Sequence, residues 1–91
     1  MDEEAFHGFY DRTARVLRAY LARIAGPGDA DDLFQETYYR FLRARGRYES
    51  EAHRRNALFA IATNLARDRS RRRRSDPLAA SDEAPDEVVQ K

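Results

Sequence analysis

The sequence predicts an all-α domain, a small bundle of three to four helices. Two observations predict it. Apolar residues recur three and four positions apart along three stretches, and no stretch alternates with period two. A third observation limits the size: 91 residues make one domain with little room for a second. A chain this short hides only about 60 to 65% of its unfolded surface, so the helices must share one core.

The first helix is predicted over residues 3–25, where Phe6, Phe9, Tyr10, Val16, Leu17, Tyr20, Leu21 and Ile24 trace one stripe. Acids open it and Arg12, Arg15, Arg18 and Arg23 follow, which suits the helix macrodipole. Gly26-Pro27-Gly28 stops it. The second helix is expected to open on Asp29 as N-cap, with Asp31 and Asp32 in its first turn, and to run about 25 Å to about residue 45. Its inner face reads Ala30, Leu33, Phe34, Thr37, Tyr38, Phe41 and Leu42; Gln35, Glu36, Tyr39, Arg40 and Arg43 lie near the other side. After a loop over residues 46–50, the third helix starts between residues 51 and 53 and runs to about 72. Ala57, Leu58, Ile61, Ala62 and Leu65 form its stripe, with Phe59 to one side. Past Leu65 the stripe is expected to fail, leaving arginine on every side and an end that needs solvent or a polyanion. The helical domain is therefore expected over residues 1–74, with residues 75–91, rich in Asp, Glu, Ala, Pro and Ser, as an acidic flexible linker or tail.

The formal net charge of +1 conceals a segregation. Between residues 53 and 74 eight arginines oppose the single acid Asp68, whereas between residues 75 and 91 five acids oppose Lys91. Such a block marks either a nucleic-acid face or a solvated helix end. The chain has no cysteine, so disulfides and thiolate metal sites are excluded and a reducing compartment is allowed. No apolar run approaches the roughly 20 residues of a membrane span, and the acidic start is unlike a secretory signal; a cytoplasmic protein without membrane attachment is expected.

Catalysis finds no support: there is no phosphate-binding glycine loop, no HExxH and no nucleophile beside a base. His7 and His53 lie on different elements and read as helix-start residues. Asp31, Asp32 and Glu36 lack a histidine or fourth ligand, so helix-start acids are the simpler reading, and no cofactor is expected. Two surfaces remain. One is polar and acidic, on the second helix: Asp31, Asp32, Gln35, Glu36 and Tyr39, whose carboxylates are expected to make no internal pair. The other joins Tyr48, Phe59, Asn64, Arg67 and the run Arg71, Arg72, Arg73 and Arg74. Tyr48 either plugs the end of the bundle or offers its ring to an unstacked base. Asn64 is either satisfied locally or reads a base edge, since an amide both donates and accepts.

The run from Gly28 to Leu42, GDADDLFQETYYRFL, closely resembles the "DAEDLVQETFLRL" pattern in region 2 of extracytoplasmic-function sigma factors. Residues 57–68, ALFAIATNLARD, followed by arginines, resemble that family's "WLYRIARNLARD". Tyr48 stands sixteen residues before Asn64, where the family usually has an aromatic, and Phe6, Phe9, Tyr10 and Leu21 fit the family's first helix. The resemblance covers nearly all of residues 5–74.

What it implies is a sigma-factor domain whose second helix docks on the clamp helices of the largest subunit of core RNA polymerase. Asp32, Gln35, Glu36 and Tyr39 match that surface, with Asp31 nearby. The third helix and its preceding loop would engage the promoter minus-ten element as a single strand, with Tyr48 and Asn64 at positions of the pocket for a flipped base. An anti-sigma factor is a further candidate partner. Ala57 replaces the family tryptophan, and nothing resembles the second helical domain that reads the minus-thirty-five element. Two other readings compete: a stand-alone helix-turn-helix binder, which the acids opening the second helix argue against, and a regulator-bound adaptor.

Overall fold

The computed structural model describes residues 1–75, with side chains as far as Arg73. Three helices follow one another: α1 spans Glu3–Ala25, α2 Pro27–Ala44 and α3 Glu51–Ser75. No strand occurs among the described residues. The acidic linker or tail read over residues 75–91 lies, past Ser75, outside them.

Helix α1 begins because the Asp2 carboxylate accepts the Ala5 N–H at 2.8 Å, satisfying one of the first turn's unpaired donors. It ends at Gly26, whose φ of 90° suits a residue without Cβ and whose N–H donates to Ala22 at 3.0 Å. The same glycine is the N-cap of α2, and Pro27 takes the first helical position, where no N–H is needed. Helix α2 thus starts two residues before the expected Asp29 cap, and Asp29 lies inside its first turn.

Phe9 stacks with Phe41 at 5.2 Å and Arg18 pairs with Asp31, so early α1 meets late α2 and the two run antiparallel. Helix α3 returns alongside α1, with Arg12 on Glu51 and Tyr20 against Phe59. Among the described residues α1 and α2 are separated by Gly26 alone and α2 and α3 by residues 45–50, so neither pair is joined by the three- to four-residue turn of a helix-turn-helix.

Phe9, Leu17, Leu21, Leu33, Phe34, Phe41, Leu58 and Ala62 fill the centre. One polar pair is buried with them. The Thr13 hydroxyl bonds the Phe9 carbonyl at 2.8 Å and the Tyr38 hydroxyl at 2.6 Å, and burial raises the Tyr38 pKa. Val16, Ile24 and Leu42, expected inside, stand 49%, 41% and 44% exposed. Val16 and Ile24 share a helix row with Tyr20, and of the three only Tyr20 meets an α3 ring.

Candidate functional site

The α2 surface is assembled by helical spacing. Residues 31, 32, 35, 36 and 39 fall on the side opposite the buried Leu33, Thr37, Tyr38 and Phe41. Asp32, Gln35, Glu36, Tyr39 and Arg69 together line a shallow recess of about 430 Å³. The expectation that these carboxylates are all unpaired is corrected. Asp31 pairs with Arg18 across the α1–α2 seam, and Glu36 pairs with Arg40 one turn on at 2.8 Å. Tyr39 accepts a hydrogen bond from Arg43 at 2.9 Å while its ring stays exposed. Asp32 and Gln35 are exposed and make no hydrogen bond or ion pair with the described residues. Among the described residues no group of acids, histidines or cysteines is arranged to hold a metal ion.

Helix α3 starts on a reciprocal cap. The Ser50 hydroxyl accepts the His53 N–H, and His53 Nδ1 accepts the Glu49 N–H, both at 3.0 Å. His53 is therefore a capping residue. The cap fixes the loop that carries Tyr48. That ring stacks on Phe41 at 5.6 Å with 12° between planes, meets His53 edge-on at 5.3 Å and has the Arg54 guanidinium 5.7 Å from its centroid. Tyr48 therefore closes the end of the bundle, half-buried. Gly46 makes room for it: a Cβ there would lie 2.7 Å from Tyr48 Cζ. Beside the ring, Phe41, Leu42, Arg45, Gly46, Arg47 and Arg54 help to line an open recess of about 700 Å³.

Asn64 is exposed and makes no hydrogen bond with the described residues. It lies on one outer line of α3 with the half-buried Ala57 and the exposed Ala60, Arg67 and Arg71. Arg54 and Asn64 are ten residues apart, about 15 Å along the helix. The structure thus does not bring Tyr48 and Asn64 into one pocket: Tyr48 packs with Phe41, His53 and Arg54 at the bundle's end, and Asn64 lies on the outer line of α3. Phe59 is not a free ring either. It is half-buried at 5.3 Å from Tyr20, whose hydroxyl meets Thr63 at 2.7 Å, and this contact fastens α3 to α1.

The arginine-rich end departs most from expectation. The inward line of Leu58, Ala62 and Ala66 continues into Arg69 and Arg73, so the stripe does not fail at Leu65 but changes chemistry. Both guanidiniums reach Asp29 in the first turn of α2, Arg69 at 3.1 Å and Arg73 in closer contact. The Arg73 hydrogen bond, and next the charges of Arg73 and Arg69, hold the Asp29 carboxyl below the usual range against the opposing effect of burial. Arg71 pairs with Asp68 at 2.6 Å. Arg67 and Arg72 are exposed with no ion pair to the described residues. Arg74 belongs to α3, but its side chain lies outside the described residues. The sequence reading missed Asp29 and Arg69; the i, i+4 continuation from Leu58 through Ala66 was the signal that pointed inward.

Residues 9–76 match the family model for sigma-70 region 2. The chain is 38% identical over 82 residues to the RNA polymerase sigma factor CarQ of Myxococcus xanthus, covering 89% of this chain and 47% of that protein. It is 31% identical over 85 residues to the ECF RNA polymerase sigma factor SigC of Mycobacterium tuberculosis, covering 93% of this chain and 46% of that one. The probable RNA polymerase sigma-C factor of Mycobacterium bovis matches equally, at 31% over 85 residues. The chain thus spans about half the length of the curated relatives it matches. No solved structure matches it significantly. A match that takes in most of all three helices, together with relatives named as RNA polymerase sigma factors, leaves one assignment: the chain belongs to the sigma-70 region 2 family.

Proposed function

We propose that this domain is a non-catalytic, cytoplasmic module that joins core RNA polymerase to a promoter and helps to open it. Helix α2 supplies the polymerase contact through Asp31, Asp32, Gln35, Glu36 and Tyr39, seated on the clamp helices of the largest subunit. The outer line of α3, with Tyr48 at its base, receives the separated strand of the minus-ten element. Unstacking a base costs a few kcal/mol, which stacking and edge hydrogen bonds can return. Exposed arginines add sequence-independent phosphate affinity. An anti-sigma factor would compete for the same surfaces.

The observation that carries this reading is the division of one small bundle into two exposed chemistries. On α2, Asp32 and Gln35 have no partner among the described residues; on α3, Asn64, Arg67 and Arg72 have none. Groups left unpaired at a surface are available for a partner of complementary charge. Relatives named as RNA polymerase sigma factors support the same assignment.

The test is capture on core polymerase, followed by binding to single-stranded and double-stranded promoter DNA. The parent chain binds core and prefers the single strand. Asp32→Lys with Gln35→Ala abolishes capture while helical circular dichroism and melting temperature stay nearly unchanged, since neither side chain holds the fold together. Core binding that survives this pair of changes refutes the α2 assignment. A preference for duplex refutes the α3 assignment.

A further inference from the structure

Asp29 has no part in the reading above, yet it draws in two arginines, Arg69, which lines the α2 recess, and Arg73, from the arginine run. Asp29 sits in the first turn of α2, its side chain 19% exposed, and accepts from Arg69 at 3.1 Å and from Arg73. The partners lie 40 and 44 residues away along the chain, so the bundle rather than local sequence brings them together. Two guanidiniums four residues apart on one helix line converge on a single carboxylate. That geometry equally suits a phosphate, whose oxygens accept from paired guanidiniums as a carboxylate does.

We propose that Arg69 and Arg73 form an anion-binding fork for a nucleic-acid phosphate, and that Asp29 fills it in the free protein and so withholds both arginines from the strand. The inference rests on the reading of α3 as the nucleic-acid element. Its neighbourhood fits: Arg67 and Arg72 on the same helix end are exposed with no ion pair to the described residues. The Arg73 arm of the contact is more than half exposed, at 59%, and an ion pair that open to water is weak enough for another anion to contest. Asp29 thereby sets how much of the arginine end acts as unspecific glue and how much is left to base reading.

The test measures the affinity of the full chain for a labelled single strand of mixed sequence, as a function of salt, with helicity checked in parallel. Each single-strand phosphate contact adds about 0.7 to the slope of log affinity against log salt, so freeing two arginines steepens it by about 1.4. Asp29→Asn is expected to bind more tightly at low salt and to lose about sevenfold more affinity than the parent between about 50 and about 200 mM salt. Adding Arg69→Gln and Arg73→Gln to that variant cancels the gain. In the otherwise native chain the same two glutamines leave the slope nearly unchanged, an arm that decides the question even if Asp29→Asn folds poorly. An Asp29→Asn slope equal to the parent's overturns the proposal, as does a flattening of about 1.4 from the two glutamines alone, which would mean the arginines were never withheld. Strand binding with no Asp29 effect overturns this inference only. No strand binding by any variant overturns the α3 reading as well.

Discussion

Asn64 and Tyr48 divide at the scale of single residues, because one is free of hydrogen bonds and the other holds the bundle's end. Removing the exposed Asn64 side chain breaks no hydrogen bond with the described residues, so Asn64→Ala is expected to shift stability by no more than about 0.5 kcal/mol. On the proposed reading it narrows the affinity gap between the best base and the other three at one position. Tyr48→Ala removes a ring stacked on Phe41, so stability falls, and binding to every strand weakens by roughly 1 to 3 kcal/mol if the ring also stacks on a base. Because Tyr48 packs on Phe41 at the bundle's end and Asn64 lies on the outer line of α3, the two changes should add without coupling. Affinities for four oligonucleotides differing at one position, at matched folded concentration, check both. Equal losses on all four for Asn64→Ala would remove its base-reading role, and strong coupling would restore a shared pocket.

At the scale of elements, most of the fold was legible and the ends were not. Periodicity located all three helices, since an apolar stripe must face a core wherever the chain places it. It named too many core residues for the same reason: Val16 and Leu42 have the right spacing but stand half exposed. The buried Thr13 was illegible because its hydroxyl is satisfied partly by Tyr38, 25 residues away. Asp29 reads as a cap because local chemistry allows it, whereas Gly26 already caps both helices and leaves Asp29 for Arg69 and Arg73. The α2 face was legible as a surface, but its internal pairs were not, since Arg18 meets Asp31 only through the antiparallel packing of α1. One element end also shows a cost. Helix α2 stops at Arg45 in the left-handed conformation, φ 49° and ψ 44°, where a Cβ is crowded. Arg45→Gly is expected to raise stability by about 1 kcal/mol, read from denaturant midpoints. A variant that lost stability would mean the arginine stem contributes more by packing than its backbone costs.

For the whole molecule, α3 is the element fastened by charge. At its start Glu51 accepts from Arg12 of α1 at 3.0 and 3.2 Å; towards its end Arg69 and Arg73 grip Asp29 of α2. Between them, Leu58, Ala62 and Ala66 are the buried apolar side chains of this 25-residue helix among the described residues, with Phe59, Ile61 and Leu65 packed beside them, so the clamps add to what the core holds. Both carboxyls titrate low in the fold: Asp29 chiefly through the Arg73 hydrogen bond, Glu51 chiefly through that of Arg12. A carboxyl whose folded pKa lies below its unfolded value, about 4, stabilises the fold above that value and loses the contribution as pH falls through the folded one. The melting temperature should therefore hold level from about pH 7 to about pH 5 and fall in the acid range below about pH 4. Asp29→Asn with Glu51→Gln should melt lower than the parent at neutral pH and show a shallower acid limb, because the groups that titrate are gone. Raised salt should lower the parent's melting temperature more than the variant's, since both clamps reach solvent. An acid limb of unchanged steepness in the double variant would place the acid sensitivity in other carboxylates and leave α3 held by its apolar line alone.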